Sequence, residues 1–126
     1  MNYWKRKQIL SKTNALDLIP VPNRPFEVGD DGRVTLLITR FDSKWWGPLQ
    51  KTGVNKIPIR INLDETGSIT WLALQHQKPI RDICSDLFTS NPDKFRDEQD
   101  ASARIIKFIQ GLYHQRFISF RQLIDH

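Results

Sequence analysis

"LDETGSITW", Leu63 to Trp71, is the stretch on which the fold turns. Before it, Ile57, Ile59, Ile61 and Leu63 alternate with Pro58, Arg60 and Asn62, the period of a half-buried strand. After it begins, Ile69, Leu72, Ala73 and His76 recur at helical spacing, with Trp71 and Leu74 on a flank. The strand therefore passes into a helix with almost no loop. Asp64 is the expected N-cap, and Glu65 suits the positive end of the helix dipole. Gly67 and Ser68 are weak formers in a first turn, and Gly67 costs about 1 kcal/mol against alanine. Two readings follow: close approach of the helix to its own strand offsets that cost, or Gly67 relaxes a tight connection.

On the N-terminal side, "PFEVGDDGRVTLLITRF" predicts a β-hairpin turning at Gly29–Gly32. Val34, Leu36 and Ile38 share one face of its second strand; Thr35, Leu37 and Thr39 share the other. "DSKWWGPLQKTGVNK" then forms a connection longer than ordinary loops. Its Trp45 and Trp46 are expected either to fold back on the domain or to dock a partner, since Trp is enriched at interfaces. Pro58 lacks a donor, so the third strand belongs at a sheet edge or starts after the proline. Residues 1–24 read as a basic arm broken by Pro20 and Pro22, pinned by Leu16, Leu18 and Ile19; residues 25–126 read as the domain.

On the C-terminal side two more helices are predicted. One runs from Pro79 to Phe88 with Ile80, Ile83, Cys84 and Leu87 as its apolar stripe. The other runs from Glu98 to Gln115, and Ile105, Ile106, Phe108, Ile109, Leu112 and Tyr113 give it a wide apolar face. "FISF", residues 117–120, closes the chain as a short strand. The order is a three-stranded antiparallel sheet, three helices and a short strand: an α+β, winged helix-turn-helix-like fold.

The totals narrow the function. A chain of 126 residues suits one domain, and a single cysteine allows no internal disulfide. No signal-peptide or membrane-spanning run is present, so a cytoplasmic protein is expected. The net charge of +5 is uneven: residues 1–63 hold 11 Lys and Arg against 5 Asp and Glu, and residues 64–126 hold 8 against 9. There is no phosphate-cradling glycine loop, zinc-protease motif or cysteine pair. His76, His114 and His126 are scattered, and the carboxylates of 97–100 suit a helix start. No catalytic residue, metal ligand or cofactor is expected, and the chain reads as no enzyme.

The joint Leu63-Asp64-Glu65-Thr66-Gly67-Ser68-Ile69-Thr70 resembles the "LNETAAAIL" joint of the pyrroloquinoline quinone biosynthesis protein D (PqqD) family. "KPIRDICSDL" (78–87) resembles that family's "RTVEEIAEEL" helix, and "IIKFIQGLYHQRFI" (105–118) its "VEEFLEELVERGLI" ending. The likeness covers residues 57–120 and, more weakly, the hairpin. The chain departs from the pattern where Gln75-His76-Gln77 replaces the usual "DG" and Pro79 replaces a Ser or Thr cap.

The resemblance implies a protein that binds the leader of a ribosomally made precursor peptide and presents it to a modifying enzyme, often a radical S-adenosylmethionine enzyme. The leader would add a strand to the third strand, in a groove shared with the third helix. An open edge also allows a homodimer by strand exchange. The residues expected to carry binding are Ile59, Arg60, Ile61, Asn62 and Leu63 on the strand, and Arg104, Lys107, Phe108, Gly111 and Gln115 on the helix. Arg60, Arg104 and Lys107 would meet acidic leader residues. Two alternatives stay open: a winged-helix DNA-binding protein, disfavoured by the net −1 of the helical half, and a docking module built on Trp45, Trp46 and the arm.

Overall fold

The computed structural model describes residues 14–38 and 59–124. Trp45, Trp46, Ile57, Pro58 and the basic part of the arm lie outside them. The elements in chain order are a 3-10 turn at Ala15–Asp17, β1 (Pro20–Pro22), β2 (Phe26–Val28), β3 (Val34–Ile38), β4 (Ile59–Asn62), α1 (Glu65–Leu74), α2 (Ile80–Ser90), a 3-10 turn at Pro92–Lys94, α3 (Glu98–His114), β5 (Ile118–Phe120) and α4 (Arg121–Ile124). The chain is α+β, as its sequence order predicts. It divides into two compact units: Arg24–Ser68, and the remainder formed by residues up to Asn23 with Ile69 onward.

The Arg24–Ser68 unit is the antiparallel sheet β2-β3-β4 and the first turn of α1. Its hairpin closes through Gly29 N–H to Arg33 O (2.8 Å) and Gly32 N–H to Gly29 O (3.0 Å). Gly32 sits at φ +81°, the left-handed position that a three-residue hairpin loop requires. Val34, Leu36 and Ile38 are buried, as the alternation predicts. Leu36 pairs with Ile61 and Ile38 with Ile59, so both isoleucines of β4 share that face. The opposite face carries Glu27, Thr35, Leu37, Arg60 and Asn62.

Asp64 is the N-cap that the sequence predicts: its Oδ1 accepts from Gly67 N–H at 2.7 Å. Ser68 answers the question its position raises. Leu63 N–H donates to Val34 O (2.9 Å), and there the β4 ladder stops. The Val34 N–H, fully buried, donates instead to Ser68 Oγ at 2.8 Å. The small residue in the first helical turn thus completes the sheet hydrogen bonding that β4 no longer supplies.

In the second unit the stripe expected on α1 is corrected. Trp71 and Leu74 are fully buried, while Ile69, Leu72 and Ala73 are half-buried and His76 is exposed. The helix is apolar on most of its circumference, so periodicity alone does not select its packed face. On α2, Ile80, Ile83, Cys84 and Leu87 are buried as expected. Pro79 gives α2 no side-chain cap; Leu18 O accepts the Ile80 N–H instead (2.9 Å).

Residues 14–22 are paired along the second unit and do more than pin an arm. Pro20–Pro22 pairs antiparallel with β5, Val21 opposite Ser119. Arg121 N–H donates to Ile19 O (2.8 Å) and Asn23 N–H to Phe117 O (3.1 Å). Odd-numbered residues therefore turn their main chain toward β5, and Pro20 and Pro22 turn their missing donors away from it. Gln122 clamps the same segment, accepting from Ile19 N–H (3.1 Å) and donating to Asp17 O (2.8 Å).

Helix α3 starts at two carboxylate caps in series. Asp97 Oδ1 accepts from Asp100 N–H (2.7 Å), and Asp100 Oδ2 accepts from Arg96 N–H (3.1 Å). It ends in a Schellman turn: Phe117 N–H donates to Leu112 O (2.9 Å) and Arg116 N–H to Tyr113 O (3.0 Å). Arg116 holds φ +65° there, a place glycine fills most cheaply. Gln77, in the tripeptide that follows α1, holds φ +52°.

Candidate functional site

The sheet order places β4 at one border, with no strand on its outer side among the described residues. Hydrogen-bond parity says which of its residues face outward. Gly29 N–H bonds to Arg33 O, and Leu37 N–H to Pro25 O, so odd-numbered residues of β3 turn their main chain toward β2. Its even-numbered residues turn toward β4, as Val34 O does in accepting from Leu63 N–H. In the observed register they meet Ile59, Ile61 and Leu63. Arg60 and Asn62 alone in β4 therefore direct both N–H and C=O away from the sheet.

The sequence-predicted strand residues thus divide into two roles. Arg60 and Asn62 offer main chain. Ile59 and Ile61 offer apolar side chains beside Ile38 and Leu36, and Ile59 remains 38% exposed. Leu63 is buried and its amide is already bonded to β3, so it adds nothing to the border.

The side chains of the outward residues are engaged across the sheet. Arg60 Nη1 pairs with Glu27 Oε2 at 2.8 Å, and Thr35 Oγ1 donates to Asn62 Oδ1 at 2.9 Å. The arginine pair is more than half exposed, so it adds little stability. Its consequence is electrostatic: an anion arriving beside Arg60 meets Glu27 as well.

On α3, in the other unit, Arg104, Lys107, Gly111 and Gln115 are exposed and Phe108 is half-buried, with Ala101, Ile105, Ile109 and Leu112 forming the buried stripe. The five predicted residues lie on one side of the helix, as their spacing requires. Arg104 is held by Lys94 O (3.1 Å), by Asp100 (3.8 Å) and over the Phe95 ring (5.3 Å to its centroid). A Cβ at Gly111 would meet nothing within 4 Å.

Two features fall outside the predicted set. The half-buried residues of α1 line an open cavity of about 650 Å³ with Ile83 and Leu87 of α2. Lys78 and Asp86, also in its lining, pair with each other at 3.2 Å. Cys84 is buried, and burial pushes its thiol up from the ordinary value against a lowering hydrogen bond from Ser102. This is the environment of a packed side chain and not of an activated nucleophile. Among the described residues no group of His, Cys, Asp and Glu is placed to hold a metal ion, and no helix is long and apolar enough to cross a membrane. Compared with models of protein families, with curated proteins and with solved structures, the chain matches none.

Proposed function

We propose that this chain is a non-enzymatic peptide-recognition protein that takes up an extended segment of a precursor peptide as a new strand on β4. In keeping with the resemblance to PqqD, it presents that peptide to a modifying enzyme of the radical S-adenosylmethionine class. The observation that carries the reading is the outer edge of β4. Two N–H and two C=O groups, from Arg60 and Asn62, point away from the sheet with a usable apolar flank beside them.

Main-chain pairing supplies affinity in strand addition, and side-chain fit supplies selection. Four such hydrogen bonds contribute about 2–6 kcal/mol before the cost of association, so the pairing needs added side-chain burial. The half-exposed Ile59 is placed to provide it.

The test is a titration of isotope-labelled protein with a precursor peptide encoded beside this chain's gene, followed by nuclear magnetic resonance. Amide shifts at Arg60 and Asn62 are the expected result. Shifts confined to residues 1–24 would remove the strand-addition reading.

A further inference from the structure

We infer that the guest strand is selected by an apolar side chain level with Ile61, and not by acidic residues. The inference rests on the strand-addition reading and adds to it the class of segment recognised.

The register dictates which guest side chain goes where. Residues directly opposite each other in adjacent strands share a face. A guest residue level with Ile61 therefore falls on the face of Ile59, Ile61, Leu36 and Ile38, whether the guest runs parallel or antiparallel. There it covers Ile59, the large apolar side chain left open at this border. Guest residues on either side of it fall on the opposite face, beside Arg60 and Asn62. That face is already paired, Arg60 with Glu27 and Asn62 with Thr35. A guest carboxylate there meets a guanidinium and a carboxylate together, and gains no net attraction. On this inference Arg60 receives no acidic leader residue, against the expectation drawn from the sequence. The segment that fits is neutral and extended, with an apolar residue at every second position.

Three capped peptides of about seven residues test this: valine alternating with threonine, valine alternating with aspartate, and serine alternating with threonine. Affinity and the Arg60 and Asn62 amide shifts are measured together. The valine–threonine peptide is expected to bind about tenfold tighter than the serine–threonine peptide, the worth of a modest apolar burial. Its affinity should change less than about twofold between about 50 and about 500 mM salt. The valine–aspartate peptide should bind no tighter on the native protein, and several-fold tighter on Glu27→Gln, where Arg60 loses its neutralising partner. Ile59→Thr keeps a strand-compatible side chain and should lower valine–threonine affinity while the amide shifts stay in place. A valine–aspartate peptide that binds tightest to the native protein, with steep salt dependence and the same amide shifts, overturns the inference and leaves strand addition standing. If none of the peptides moves Arg60 or Asn62, strand addition at β4 fails with it.

Discussion

Ser68 ties the strand-to-helix joint through its buried hydroxyl, which accepts the Val34 N–H at 2.8 Å and donates to Leu63 O at 3.4 Å. Ser68→Ala keeps the volume nearly constant and strands that donor without a partner. The expected loss is about 1–3 kcal/mol, read from the midpoint of chemical denaturation with the slope unchanged. The sequence marks Ser68 as small and out of place in a first turn. It does not reveal the bond, because the partner lies in another strand whose ladder happens to end one residue early. Arg116 shows the converse. It stands where the quoted PqqD ending has glycine, and the chain adopts the left-handed conformation there all the same. Replacing a non-glycine residue at such a site relieves about 1–2 kcal/mol of backbone strain, less the extra freedom that glycine gains on unfolding. Arg116→Gly is therefore expected to raise stability by about 0.5–1 kcal/mol in thermal or chemical unfolding.

At the scale of elements, helix α3 offers a pH-dependent test. Its N-terminus depends on Asp100, whose carboxyl is held below its ordinary range first by the Arg96 N–H hydrogen bond and then by the Arg96 and Arg104 charges, against a raising effect of burial. A depressed carboxylate contributes stability that is present above its unfolded pKa and lost as pH falls through its folded one. Hydrogen exchange at the Arg96 amide should therefore accelerate on acidification below about pH 4 beyond its intrinsic rate, and Asp100→Asn should flatten that change. An Asp100→Asn protein with the unaltered acid response would remove the assignment. The extents of α3 and the hairpin were legible from periodicity, caps and turn residues, and so was the start of α2, which runs two residues past the expected Phe88 to Ser90. β1 and α4 were not. Pro20 and Pro22 read as breaks, and only the pairing parity with β5 shows that neither proline is asked for a donor. Pro79 leaves α2 without a side-chain cap, and Leu18 O, distant in sequence, supplies the acceptor for the Ile80 N–H. The border of β4 was legible as an edge from Pro58, but which residues face outward was not. That depends on the hairpin register, which assigns Arg60 and Asn62 to the free side.

For the whole molecule, the decisive quantity is where the positive charge resides. Of the 19 Lys and Arg and 14 Asp and Glu, 11 and 12 fall within the described residues, leaving 8 and 2 elsewhere. The described part of the chain is thus slightly acidic, and the whole basic surplus belongs to residues 1–13 and 39–58. A winged-helix DNA reader needs cations on the helices that meet the groove, because phosphate neutralisation supplies most of the affinity, and residues 64–126, which hold the helices, carry 8 Lys and Arg against 9 Asp and Glu. Here Arg60 and Arg104 are paired with Glu27 and Asp100. Any binding to generic duplex should accordingly be weak, salt-steep and carried by the basic stretches. Replacing Lys5, Arg6 and Lys7 by alanine should reduce the slope of log affinity against log salt by about one for each phosphate that is no longer neutralised. The same variant should leave peptide-induced shifts at Arg60 and Asn62 untouched. A slope unchanged by this triple replacement, together with protection of Arg104 and Lys107 by the duplex, would move phosphate recognition onto α3. The peptide reading would then give way to the DNA one.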